Sequence, residues 1–117
     1  MSESDMNLAI AQAEGWTKCR LAIKGAGGGF RVPTAHGIPP KRAYEAPCPD
    51  YTRNLNASVN LCDTLIQEGW HCSIIKLSGA SSWSVQITKL DIGHTVDRRT
   101  LALAICEAFL RAKNLWA

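Results

Sequence analysis

The spacing of apolar residues predicts the order helix, strand, long irregular segment, helix, strand, strand, helix. Over residues 4–14, Met6, Ile10 and Ala13 recur on one helical face, with Ser4 or Asp5 as the cap and Gly15 as the stop. Residues 16–23 alternate for part of their length, with Trp16, Cys19, Leu21 and Ile23 inward and Lys18 and Arg20 outward, which predicts a strand. A second helix is predicted over 52–68, capped by Thr52 or Asn54 and ended by Gly69; Leu55, Val59, Cys62 and Ile66 form its apolar stripe. Residues 71–78 and 82–90 predict a β-hairpin, in which Ile75 and Leu77 share one face and Trp83, Val85 and Ile87 another. A connector over 91–97 leads to a final helix at 98–114, capped by Thr95 or Asp97.

That last helix is unusually apolar. Leu101, Ala104, Ile105, Ala108 and Phe109 make one face, and Ala102, Leu103 and Leu110 extend it beyond a single stripe of about 100°. Such a helix is either wedged in a core or buries a second face against another chain. The second option predicts a homo-oligomer, with Leu103, Leu110 and Trp116 at the contact.

Residues 24–50 break all periodicity. They hold Gly25, Gly27, Gly28, Gly29 and Gly37 and every proline of the chain (Pro33, Pro39, Pro40, Pro47 and Pro49). A loop this long in a small domain is usually functional or mobile. The expected fold is therefore α+β: one three-stranded antiparallel sheet covered by three helices, an α/β/α layered sandwich in the order α-β-loop-α-β-β-α. The spacing shows no internal repeat.

Composition narrows the function classes. At 117 residues the chain fits one domain over 1–117 and has no room for a dinucleotide-binding half plus a substrate domain. The formal charge of +3 permits an anionic partner but disfavours a nucleic-acid-binding module, which needs a continuous basic stripe. The longest apolar run falls short of the roughly 18–20 residues that cross a bilayer, and the acidic start Met1-Ser-Glu-Ser-Asp5 is unlike a secretory signal. No membrane partner is expected.

The five cysteines (Cys19, Cys48, Cys62, Cys72 and Cys106) contain no CxxC, which disfavours both a disulfide framework and a zinc site. Cys62, Cys72 and Cys106 read as small buried hydrophobes, and Cys48, between two prolines, as a surface thiol. His36, His71 and His94 show no metal-binding spacing, and His71 and Cys72 point to opposite faces of a strand. The expectation is a non-enzymatic protein without cofactor or metal.

Three places remain for binding chemistry. The run Lys24-Gly-Ala-Gly-Gly-Gly-Phe-Arg31 offers backbone N–H groups flanked by two cations, but Val32-Pro33 comes next instead of a helix, so it is no nucleotide-hydrolysing P-loop. The stretch from Pro49 to Asn56 enters the middle helix. There Tyr51 offers a ring for stacking, Arg53 a phosphate partner and Asn54 a polar edge, although Asp50, Thr52 and Asn54 also suit plain capping. Arg98 and Arg99 sit at a helix start, where cations are unfavourable, and so are candidates for holding an anion; Arg111 and Lys113 suit the far end of that helix. Trp16 and Trp70 each come directly after a helix-ending glycine and begin a strand, as matched core anchors.

The segments Leu8-Ala-Ile-Ala-Gln-Ala-Glu-Gly-Trp16, Pro49-Asp-Tyr-Thr-Arg-Asn-Leu-Asn-Ala57 and Glu68-Gly-Trp70 form a pattern with the strand pair and closing helix. It resembles the phage ABA sandwich domain of small phage and prophage proteins. That group shows a helix ending near Gly-Trp, a Pro-x-Tyr-Ser/Thr-x-Asp/Asn-Leu/Ile-x-Ala helix entry and an alanine-rich last helix. The resemblance implies a phage accessory protein in the cytoplasm of an infected bacterium and carries no catalytic residues. Small phage proteins often counter bacterial immunity. The expected function is sequestration of a small anionic, nucleotide-derived signal by Lys24, Arg31, Tyr51, Arg53, Asn54, Arg98 and Arg99. The alternative is an inhibitor that blocks a host defence protein such as a CRISPR effector or nuclease.

Overall fold

The structure, a computed structural model, describes residues 1–22, 33–76, 79 and 81–116. The chain divides into two compact units, Met1–Asp50 and Tyr51–Ala117. Both are α+β, and the element order is α-β-β-β-α-β-β-β-α.

Unit 1 opens with α1 (Glu3–Ala13). Ser2, rather than Ser4 or Asp5, is its N-cap, and the Asp5 carboxylate reaches back to Ser2 to close a capping box. These hydrogen bonds hold the Asp5 carboxyl below its ordinary value. Met6, Ile10 and Ala11 are buried. The helix ends as Gly15 takes φ +98° and the Trp16 N–H donates to the Ala11 carbonyl at 3.0 Å.

Strands β1 (Thr17–Ala22), β2 (Thr34–Ile38) and β3 (Ala46–Pro47) come next as an antiparallel meander in the order β1-β2-β3. A bulge between Thr17 and Arg20 carries Lys18 at φ +51°. The bulge brings Cys19 over Gly37, where a Cβ would stand 3.0 Å from the Cys19 Sγ and 3.0 Å from the Thr17 carbonyl oxygen. Two strands thus lie inside the segment expected to be a loop. In β2 the buried residues Ala35, His36 and Gly37 are consecutive, so no alternation marks the strand.

Unit 2 repeats this plan and adds a helix. Asn54 caps α2 (Leu55–Gln67), its side-chain oxygen accepting from the Ala57 N–H at 3.2 Å. Gly69 takes φ +95°, and the Trp70 N–H donates to the Leu65 carbonyl at 3.0 Å. Then come β4 (His71–Ile75), β5 (Trp83–Lys89) and β6 (Ile92–Arg98), again an antiparallel meander, and α3 (Leu101–Ala112), capped by Thr100. The expected single sheet is therefore two three-stranded sheets, one per unit. The repeat is invisible as spacing because it lies in topology and in one shared turn, Glu-Gly-Trp.

Three further expectations change. All of the expected connector except Asp91, which lies in the turn, is strand; β6 buries only Val96, so it shows no apolar period. The wide apolar girth of α3 is consumed inside the chain, where α3 packs on α2, β5 and β6 and buries Ala102, Ala104, Ile105, Cys106, Glu107, Ala108, Phe109 and Leu110. And α2 buries Ser58, Leu61, Cys62 and Leu65, leaving Leu55, Val59 and Ile66 of the expected core stripe 46%, 40% and 55% exposed. Ser58 tolerates full burial because its hydroxyl donates to the Leu55 carbonyl at 2.9 Å.

Candidate functional site

The most organised polar cluster among the described residues sits on α3. Glu107 is buried in an otherwise apolar helix, which requires partners for its carboxylate. Arg98, the last residue of β6, supplies Nε and Nη2 to Glu107 Oε1, each at 2.7 Å. Arg111, one turn further along α3, supplies its Nε to Glu107 Oε2 at 2.8 Å. Each carboxylate oxygen thus holds one guanidinium. Both guanidinium carbons also lie against the Trp116 ring, at 5.5 Å for Arg98 and 5.2 Å for Arg111.

The cluster carries two positive charges against one negative. The Arg98 and Arg111 side chains remain 33% and 38% exposed, so the cluster is partly open to solvent, and each guanidinium has N–H donors beyond those given to Glu107. Arg99 is exposed next in the chain. Lys113, at the end of α3, pairs with Glu68 and lies 5.6 Å from the Phe109 ring centroid.

The predicted residues meet different fates. Lys24 and Arg31 lie outside the described residues. Tyr51 is buried, so its ring is part of the packing and not a face open to a ligand. Asn54 spends its side-chain oxygen on the α2 cap. Arg53 is exposed at the same helix entry. Of the residues expected at a subunit contact, Leu103 is half-buried, Leu110 is in the core and Trp116 packs on Arg98 and Arg111. Glu107 is absent from the residues that the sequence singles out. Its available signal is a lone acid inside Leu101-Ala-Leu-Ala-Ile-Cys-Glu-Ala-Phe-Leu110 with Arg111 four residues on.

Four of the five thiols form two neighbouring pairs, one per unit, and Cys106 is buried in α3. Cys48, expected at the surface, is half-buried and donates to Cys19; burial, then the Cys19 thiol beside it, pushes its pKa up to about 11. Cys62 donates to Cys72, and burial together with Cys72 and Asp63 pushes it up to about 11. Both are poor nucleophiles near neutrality. Among the described residues no group of three His, Cys, Asp or Glu is placed to hold a metal ion, and no helix is long and apolar enough to cross a membrane.

No protein-family model matches this chain, and neither does any curated protein sequence. Its fold does have a counterpart. A phage protein from Bacillus cereus ATCC 14579, solved as a crystal structure at 2.0 Å, superposes with a TM-score of 0.70 at 19% identity, over 100% of this chain and 92% of that one. The likeness is one of fold.

Proposed function

We propose that this is a non-enzymatic phage accessory protein that antagonises a bacterial host defence by sequestering a small, anionic, nucleotide-derived ligand. The observation that carries this reading is the pair of guanidiniums held by one buried carboxylate against one indole ring. Arg98 and Arg111 are fixed by Glu107, so their remaining donors are oriented before any ligand arrives, which lowers the ordering cost of binding. Two cations against one carboxylate leave an excess positive charge for a phosphate, and Trp116 adds an aromatic surface beside it. Arg99 adjoins the cluster as a further phosphate partner. The fold shared with a phage protein supports the setting.

The test is native mass spectrometry of protein isolated from bacteria carrying an active nucleotide-signalling defence, with subsequent denaturation and identification of any released small molecule. The expected result is a nucleotide-like mass released intact, and retention at least tenfold weaker in Arg98→Ala and Arg111→Ala. Undiminished retention by both variants would move the site elsewhere. A protein that emerges empty while blocking the defence would replace sequestration by direct inhibition of a defence protein.

A further inference from the structure

The two sheets present four edge strands among the described residues, and three are protected against pairing with another chain. β1 has its bulge at Lys18 and the charges of Lys18 and Arg20, the latter paired with Glu45. β3 is two residues long and contains Pro47. β6 carries Asp97 and Arg98. These are the usual devices by which natural sheets discourage edge-to-edge association: short length, proline, bulges and charge. β4 has none of them. Its sequence, His-Cys-Ser-Ile-Ile, contains no Lys, Arg, Asp, Glu or proline, and it pairs with β5 through five consecutive residues without a bulge. All of it but Cys72 is exposed, with Ile74 at 45% and Ile75 at 47%.

The neighbouring helix makes the same omission. α2 carries a single charge, Asp63, and leaves Leu55, Val59 and Ile66 exposed along one stripe. The stripe's place is fixed by two contacts. Leu61 and Leu65 belong to the buried face of α2, which packs on α3. Cys62, one step round the helix, meets Cys72 of β4. The next step in the same sense, at 100° per residue, reaches Leu55, Val59 and Ile66, beyond Cys62 on the side of the free strand edge. Ile74 lies on the Cys72 face of β4, opposite Val85 of β5. One side of unit 2 therefore offers a row of unpaired backbone groups flanked by an uncharged apolar stripe.

We infer that this side, the β4 edge together with the α2 stripe, is the contact between two copies of the chain. The unpaired N–H and C=O groups of a flat edge call for an extended strand, and β4 of a second copy is one. A two-fold axis between the two β4 strands, level with Ser73, runs them antiparallel, joins two three-stranded sheets into one of six and brings each α2 stripe to its counterpart. Self-association opposes no row of like charges there, because β4 has no charged residue and α2 only Asp63. This contact lies at the opposite sheet edge from Arg98 and is independent of ligand binding.

Sedimentation velocity of the full chain over a range of concentrations tests it. The expected result is a dimer that becomes monomeric in Val59→Glu and in Ile74→Lys, both of which change exposed residues and should keep the native circular dichroism and melting temperature. Mixing Ile74→Lys with Ile74→Glu should restore a dimer, since the two side chains stand diagonally across the axis. A protein monomeric at all concentrations would overturn the inference. So would a dimer indifferent to both substitutions while each variant remains folded.

Discussion

Glu14-Gly15-Trp16 and Glu68-Gly69-Trp70 end their helices alike, each glycine in the left-handed region and each tryptophan N–H donating five residues back at 3.0 Å. Beyond the turn the two units diverge. Unit 1 inserts a bulge at once, charges its first strand and covers its sheet with α1 alone. Unit 2 runs straight into an uncharged strand and covers its sheet with two packed helices. Two kinds of information are thereby separated. The turn is local, encoded in three residues, and forms alike ahead of two different strands. The edge is a decision about what the sheet meets next, and the two units decide it in opposite ways.

The energetic contrast should be largest in the cores. Phe109 of α3 is fully buried, and Phe109→Ala should destabilise unit 2 by about 3–5 kcal/mol, read by chemical denaturation. Unit 1 should instead be most sensitive to added volume. Gly37→Ala drives a Cβ into Cys19 Sγ and a strand carbonyl, each at 3.0 Å, and should cost about 1–3 kcal/mol. In unit 2, Gly93→Ala in the edge strand β6 meets only the Thr88 methyl at 3.5 Å and the Ile87 carbonyl oxygen at 3.7 Å and should be nearly silent. Equal effects of these two glycine substitutions would break the contrast.

The shared turn sets the next level. Gly15→Ala and Gly69→Ala should each cost about 1–2 kcal/mol, and by similar amounts, because both force a side chain into the left-handed region. A large inequality in melting temperature would show that the two turns are alike only in outline. The remaining effect is alkaline. Cys48 in unit 1 and Cys62 in unit 2 are raised from 9.0 to about 11, so the unfolded chain loses these protons first. Their contribution is complete below pH 9 and should decline as pH rises towards 11. Cys48→Ala and Cys62→Ala should each flatten part of that decline in urea titrations at stepped pH.

The parts of the fold legible in the sequence are those with a local cause. All three helices, the glycines that stop α1 and α2 and the β4–β5 hairpin arise from period and turn residues, and Asn54 is among the expected caps. The illegible parts have causes lying across the chain. β2 hides because a buried histidine and a glycine sit where alternation would place polar and apolar residues; the His36 ring meets the Thr34 hydroxyl at 3.0 Å. The pattern puts α2 in the wrong phase because its most apolar stripe is not its buried one. Within the site, Arg98 is expected to seek an anion and has Glu107 as its first, while Tyr51, expected to meet a ligand, belongs to the packing. Charge placement is readable from sequence, but whether a side chain points inward is not.

The repeated turn also distributes the chain's chromophores. Trp16 is the single tryptophan of residues 1–50, while Trp70, Trp83 and Trp116 all fall in the second unit. Replacing those three by phenylalanine confines the indole emission to the first half, and replacing Trp16 alone confines it to the second. Melting the two resulting proteins side by side would reveal whether the halves lose their structure in one step or in two, with no label added to the chain.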